Sequence, residues 1–150
     1  MFDIFEETKA LLLDLEASHV EYALCGALAL AVHGVSRNTS DIDVLVITSS
    51  VAAAIEVTKR RGFIFGAAPM GFNDGVQLHR WSKIVGSETL TVDLLVTSPA
   101  YQQVWDTRIR KLVGTDMISV VSRDGLIQMK LAAARPKDIM DVQSLLEIDR

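Results

Sequence analysis

Residues 24–46 read LCGALALAVHGVSRNTSDIDVLV, and Asp41-Ile42-Asp43 near the end sets two carboxylates into a run otherwise suited to a buried strand. In an extended chain successive side chains alternate faces, so Asp41 and Asp43 project together while Ile42 and Val44 turn to the core. Two ionised carboxylates there carry a desolvation cost unless a cation offsets it, and a metal ion is the expected one. Upstream, Gly26 separates a short apolar run at residues 22–25 from an expected helix over residues 27–33. Bare backbone N–H groups and a helix start can meet a phosphate at such a junction.

Outward from this stretch, composition narrows the class. A chain of 150 residues is long enough to bury a core as one domain, residues 1–150, without disulfides or structural zinc. Its 49% hydrophobic and 23% charged content excludes a disordered chain. Cys25 is the only cysteine, which rules out an intrachain disulfide and CxxC zinc or redox sites. The first seven residues are acidic rather than a basic-then-apolar leader, and no apolar run approaches the roughly 20 residues that span a bilayer. A soluble, cytoplasmic protein with no membrane partner is expected. The net charge of −4 argues against broad, sequence-independent nucleic-acid binding but leaves local contacts possible.

The order of expected elements indicates an α/β (α+β) fold, a mixed and mainly antiparallel sheet with helices packed on it and a helical C-terminus. Asp3 and Glu6 form a capping signal for a helix over residues 4–17. Strands are expected at 22–25, 41–47, 63–65, 76–81, 89–96 and 117–121, the fourth and fifth joined through Gly86-Ser87 as a hairpin. Helices are expected at 27–33, 51–61, from Pro99 to about Arg108, 124–134, and 137–148 after Pro136. In the last helix Ile139, Val142, Leu145 and Leu146 make the apolar face, with Lys137, Asp138 and Asp141 as the solvated face and a Lys137–Asp141 pair. Basic Arg108, Arg110 and Lys111 read as a solvated helix end. His19, His33 and His79 show no metal spacing, and Trp81, Trp105 and Cys25 read as core residues.

A second apolar strand, Leu90-Thr91-Val92-Asp93-Leu94-Leu95-Val96, carries another isolated acid. Three acids presented from adjacent strands suit Mg²⁺, which keeps waters and borrows ligands from substrate phosphates. Two such ions can clamp the attacking and leaving oxygens of an in-line displacement. The pattern therefore points to phosphoryl or nucleotidyl transfer. Arg37 and Thr39 also admit an ordinary loop reading, the hydroxyl bonding local backbone and the guanidinium pairing with Asp41.

Gly26-Ala27, thirteen further residues, Asp41-Ile42-Asp43 and a later strand-borne Asp93 together resemble the signature of the DNA polymerase beta-like nucleotidyltransferase superfamily. With His33-Gly34, Arg37-x-Thr39, Lys130, Arg135, Lys137-Asp138 and Asp141, the chain is similar to small AbiEii-type nucleotidyltransferases of bacterial toxin–antitoxin systems. The resemblance implies that Asp41 and Asp43 bridge two Mg²⁺ ions holding an NTP. It implies that Asp93 completes the first ion's shell and helps deprotonate an acceptor hydroxyl on RNA, protein or a small molecule. Gly26, Ala27 and the helix start would cradle the β- and γ-phosphates, with Thr39 and the Ser40 hydroxyl beside them and Arg37 and Lys130 neutralising charge. The family usually carries Gly or Ser where this chain has Ala27, which keeps the N–H donor and removes the hydroxyl. The larger helical domain of full-length AbiEii-type toxins has no counterpart in these 150 residues, so a cognate antitoxin or second subunit is an expected partner. The alternative is a catalytically idle nucleotide-binding or toxin–antitoxin interaction module with the same fold.

Overall fold

In the computed structural model, which describes residues 3–148, the Asp3 carboxylate accepts the backbone N–H groups of Phe5 and Glu6 at 3.0 and 3.3 Å. That cap starts α1, Ile4–Ala17, whose Leu11, Leu12 and Leu15 are buried. Strand β1, Ala23–Cys25, leads directly into α2, Gly26–Val32, and the chain returns through a loop to β2, Asp41–Val46. Helix α3 spans Val51–Arg60. Two short strands follow, β3 at Phe65–Gly66 and β4 at Met70–Gly71, and then the long hairpin of β5, Gln77–Val85, and β6, Glu88–Val96. A 3-10 turn, Pro99–Tyr101, precedes α4, Gln102–Asp106. Strands β7, Ile109–Val113, and β8, Asp116–Val120, precede α5, Arg123–Ala133, and α6, Pro136–Glu147.

The strands form one mixed sheet in the order β3-β5-β6-β2-β1-β8-β7, with β4 on β5. Two pairings are parallel, β2 with β6 and β1 with β8, and the rest are antiparallel. The expected mainly antiparallel sheet with packed helices is thus the observed architecture. Alternation along β2 puts Ile42 and Val44 in the core with Val92, Leu94 and the leucines of α1. Each such side chain contributes roughly 1.5–3 kcal/mol on burial. Asp41, Asp43 and Leu45 occupy the other face. Among the described residues no helix is long and apolar enough to cross a membrane.

Several local expectations are corrected. The basic stretch around Arg110 is no helix end but the edge strand β7, hairpinned onto β8. An edge strand bearing Arg110 and Lys111 reads as solvated because charge is how open edges are protected from further pairing. Phe63 is fully buried rather than part of a strand, and strand pairing begins at Phe65. The helix expected from Pro99 to Arg108 is a 3-10 turn followed by the short α4. In α6 the buried stripe is Asp138, Asp141, Val142 and Leu145, while Ile139 and Leu146 are exposed. The solvated face expected at Asp138 and Asp141 faces inward. His33 bonds the Val121 carbonyl at 2.8 Å, and Cys25 and Trp105 are buried, as packing residues.

Candidate active site

The parallel pairing of β2 with β6 sets Asp43 directly opposite Asp93, and Asp41 opposite Thr91. Cys25 faces Asp43 from the antiparallel side. The turn from β1 into α2 is made by Gly26 at φ +67, a left-handed conformation that costs an L side chain about 1–2 kcal/mol. A Cβ on Gly26 would lie 2.0 Å from Asp43 Oδ2 and 2.8 Å from Asp43 Cβ. Only glycine lets this backbone lie against the carboxylate.

Burial, then the neighbouring charges of Asp93 and Asp41, push the Asp43 carboxyl up to about 7, against the pull of Lys130 and Arg80. Neither Asp41 nor Asp43 accepts a side-chain hydrogen bond from any described residue, apart from the local Thr39 contacts to the Asp41 backbone. The pair is a concentrated negative site that a divalent cation would relieve, and its all-oxygen donors suit Mg²⁺. Among the described residues no three His, Cys, Asp or Glu side chains converge as a ready-made ion cage. Mg²⁺ needs none, because it takes one or two carboxylates and completes its shell with water and phosphate oxygens.

Asp93 is 5% exposed, and both of its oxygens accept from Arg80, at 2.8 and 2.9 Å. The hydrogen bonds and charge of Asp93 raise the Arg80 guanidinium above its ordinary value. To serve as a third ion ligand, Asp93 would exchange one of these bonds. Sequence reading missed Arg80, although a signal was there: counting back along the hairpin from the Gly86-Ser87 turn, where Val85 faces Glu88, puts Arg80 opposite Asp93.

The facing wall of the cleft is α5 and α6. Asp141, 3% exposed, accepts from Arg37 Nε at 2.6 Å and pairs with Lys130 at 3.0 Å. Asp138, fully buried at the first turn of α6, accepts from Lys130 at 3.4 Å and from Arg135 Nε at 2.6 Å. Burial alone would push the Asp138 carboxyl up, but the Arg135 hydrogen bonds hold it below the ordinary carboxylate value. Arg37 therefore pairs with Asp141, not with Asp41, and Lys137 makes no ion pair with Asp141 among the described residues. Asp138 and Asp141 are the residues whose role sequence reading misjudged, since they hold the cleft's cations.

Between the walls lies a cleft of about 730 Å³, lined by Gly26, Ala27, Arg37, Thr39, Asp41, Asp43, Asp93 and Lys130. Lys137, Asp138 and Asp141 line it as well. Of the residues singled out in the sequence for the nucleotide, only Ser40 is not part of this lining, and it is exposed at the entry to β2.

The family described as "Nucleotidyltransferase of unknown function (DUF6036)" matches residues 1–150. No curated protein matches the chain. Among solved structures, the Thermotoga maritima protein TM1012, a candidate nucleotidyltransferase, superposes with a TM-score of 0.67 at 14% identity, over 98% of this chain and 94% of its own. The lincosamide antibiotic adenylyltransferase LnuA, solved with lincomycin bound, gives 0.65 at 14% identity, covering 95% and 96%. The antibiotic-resistance factor ANT(2'')-Ia gives 0.65 at 14%, covering 96% and 84%. At these identities the likeness is one of fold.

Proposed function

The chain belongs to the DUF6036 family of nucleotidyltransferases, and from that premise we propose that it moves NMP from an NTP to an acceptor hydroxyl in the cleft between β2/β6 and α5/α6. The observation that carries the reading is the carboxylate row, Asp43 beside Asp93 with Asp41 on the same face, pressed against a side-chain-free Gly26 and faced by Lys130 and Arg37. Asp41 and Asp43 would hold Mg²⁺, two ions when Asp93 joins them. When bound, the metal supplies polarisation of the phosphoryl oxygens and positioning of the triphosphate.

The protein's own groups do the rest. Lys130 and Arg37, steered by Asp141 and Asp138, neutralise the β- and γ-phosphates, the guanidinium by paired contacts and the ammonium as a point charge. Gly26, Ala27 and Thr39 line the same cleft, where the backbone N–H groups of the first two and the Thr39 hydroxyl would meet the phosphates. The acceptor oxygen attacks the α-phosphorus, its new O–P bond forming as the bond to the bridging oxygen breaks and pyrophosphate leaves. Its proton passes to Asp93, which releases one Arg80 bond to receive it.

Calorimetric titration with each NTP, with and without Mg²⁺, tests the binding half of this reading. Binding that ignores the metal, or that is unchanged in Asp41→Asn and Asp43→Asn, overturns it. Incubation with α-labelled NTPs and total cellular RNA, protein and small molecules tests transfer. A second reading, an idle nucleotide-binding module, is favoured by Arg80 occupying both oxygens of Asp93 and by the missing hydroxyl at Ala27. Mg²⁺-dependent binding without any labelled product selects it. The AbiEii-type spacing from Gly26 to Asp141 supports a cytoplasmic toxin–antitoxin setting, read out as growth arrest on expression that Asp43→Asn relieves.

A further inference from the structure

The cleft has two chemically different ends, and we propose that its apolar end receives the acceptor, a small hydroxyl compound with an apolar ring face and a protonated amine. This rests on the nucleotidyl-transfer reading above. Strand register defines the ends. Asp43, Asp93 and Arg80 share one row, and two residues along β2 and β6 the next row is Leu45, Leu95 and Leu78. At strand rise that row lies about 7 Å further on. Beyond it, Val76 and the turn bearing Phe72 and Asp74 close the cleft with Tyr101. The cations lie the other way, since Arg37 precedes β2 and shares Asp141 with Lys130.

An in-line displacement puts the entering and leaving oxygens on opposite sides of phosphorus. Pyrophosphate departs toward the cations, so the acceptor hydroxyl enters from the leucine side, next to Asp93. The turn at that end is firmly built. Phe72 N–H donates to the Val76 carbonyl at 2.9 Å, the Ser98 hydroxyl donates to the Asp74 carbonyl at 2.8 Å, and Val76 N–H donates to the Asp74 carboxylate at 3.0 Å. On this tied turn Phe72 is nonetheless 51% exposed, presenting its ring at the cleft. An aromatic face beside a leucine floor suits a ring. Asp74 is the only charged side chain of that end among the described residues. The Asp74 carboxylate, exposed on this turn and held by the Val76 N–H and the Tyr101 hydroxyl, suits an ammonium at the cleft rim and repels the phosphates of an RNA acceptor.

Phenylalaninol, which combines ring, amine and hydroxyl, tests the proposal by calorimetry on the full chain, with 3-phenyllactate as the carboxylate counterpart and ethanolamine as the ringless one. Phenylalaninol is expected to bind about tenfold more tightly than either, the worth of one charge-assisted hydrogen bond or one ring contact. Asp74→Asn keeps an acceptor for the Val76 N–H and should cost about tenfold, and Phe72→Ala roughly fivefold, with Mg·ATP affinity unchanged in both. Equal binding of 3-phenyllactate, no binding of phenylalaninol while Mg·ATP still binds, or a Phe72→Ala loss falling on ATP overturns the proposal; the last outcome would make this end the nucleobase site. Label appearing on RNA also overturns it. Because the probes are titrated without nucleotide, phenylalaninol binding with no labelled product from any NTP sinks the transfer reading and leaves the pocket standing.

Discussion

Gly26→Ala probes the closest approach in the site. Alanine at φ +67 costs about 1–2 kcal/mol in backbone strain. The new methyl would sit 2.0 Å from Asp43 Oδ2, 2.7 Å from Cγ and 2.8 Å from Cβ. The carboxylate oxygen can rotate away, but the Asp43 Cβ is fixed by a strand paired on both sides, to Cys25 and to Asp93. The strand or the start of α2 must shift, an overpacking cost of about 1–3 kcal/mol. The expected total is about 2–5 kcal/mol, a large share of the 5–15 kcal/mol typical of a domain. Gly34→Ala is the control: it has φ +101, and its nearest neighbour would be Ile148 Cδ1 at 3.6 Å, so it carries the strain without the clash. Urea denaturation in chelator measures both, and calorimetry measures Mg·ATP binding. Gly26→Ala should be the less stable by the overpacking difference and should lose Mg²⁺-dependent binding, while Gly34→Ala keeps it. Equal stability losses with intact Mg·ATP binding in both variants would refute the reasoning.

Metal-free protein should lose stability as pH rises. Asp43 titrates at about 7 in the fold against an ordinary 3.8, so between those values the folded state keeps a proton that the unfolded state has released, and stability declines through that window. The ceiling on the loss is about 4 kcal/mol, reduced by the residual solvent contact of the side chain, and denaturation in chelator at about pH 5 and about pH 8 reads it. Asp43→Asn should flatten this dependence and be more stable than the wild type at the higher pH, while losing Mg²⁺-dependent nucleotide binding. Arg80→Met strips Asp93 of its partner; with the Arg80 side chain 45% exposed, the urea midpoint should fall by the equivalent of about 1–2 kcal/mol rather than the 3–5 of an enclosed pair. Asp141→Asn frees Arg37 and leaves Lys130 held by Asp138 alone, and the KM for nucleotide should rise roughly tenfold in steady-state assays with less effect on kcat.

What was legible in the chain was what violated a local pattern. Asp41, Asp43 and Asp93 stood out because acids in apolar strands need a reason, and Gly26 because a strand runs straight into a helix there. That Asp93 comes from a strand next to that of Asp41 and Asp43 was expected, but the register that sets Asp43 opposite Asp93 was not legible in the same way. It depends on a parallel pairing between strands separated by α3, the short β3 and β4 and the long β5, and parallel register leaves no turn to count from. Arg80 is the reverse case, a residue whose partner follows from hairpin arithmetic but whose type, on a strand with exposed positions, draws no attention. Ala27 carries the departure from the family pattern and lines the cleft all the same.

Helix α6 shows why composition alone mis-set the helical wall. Counting apolar residues puts Ile139 and Leu146 inside, yet the buried stripe is Asp138, Asp141, Val142 and Leu145, which keeps Val142 and Leu145 and turns the buried face by about 60° around the axis. Apolar periodicity assumes that a carboxylate always prefers water. That holds only when no cation awaits it, and here Lys130, Arg135 and Arg37 converge on Asp138 and Asp141 from α5, the turn before α6 and the loop before β2. None of those partners is near Asp141 in the pattern a helix displays, so the inward face becomes readable only once the sheet has brought residue 37 against residue 141. The same inversion supplies the site's chemistry: two buried acids fix an ammonium and a guanidinium toward the cleft, where an apolar α6 face would have left them to the solvent.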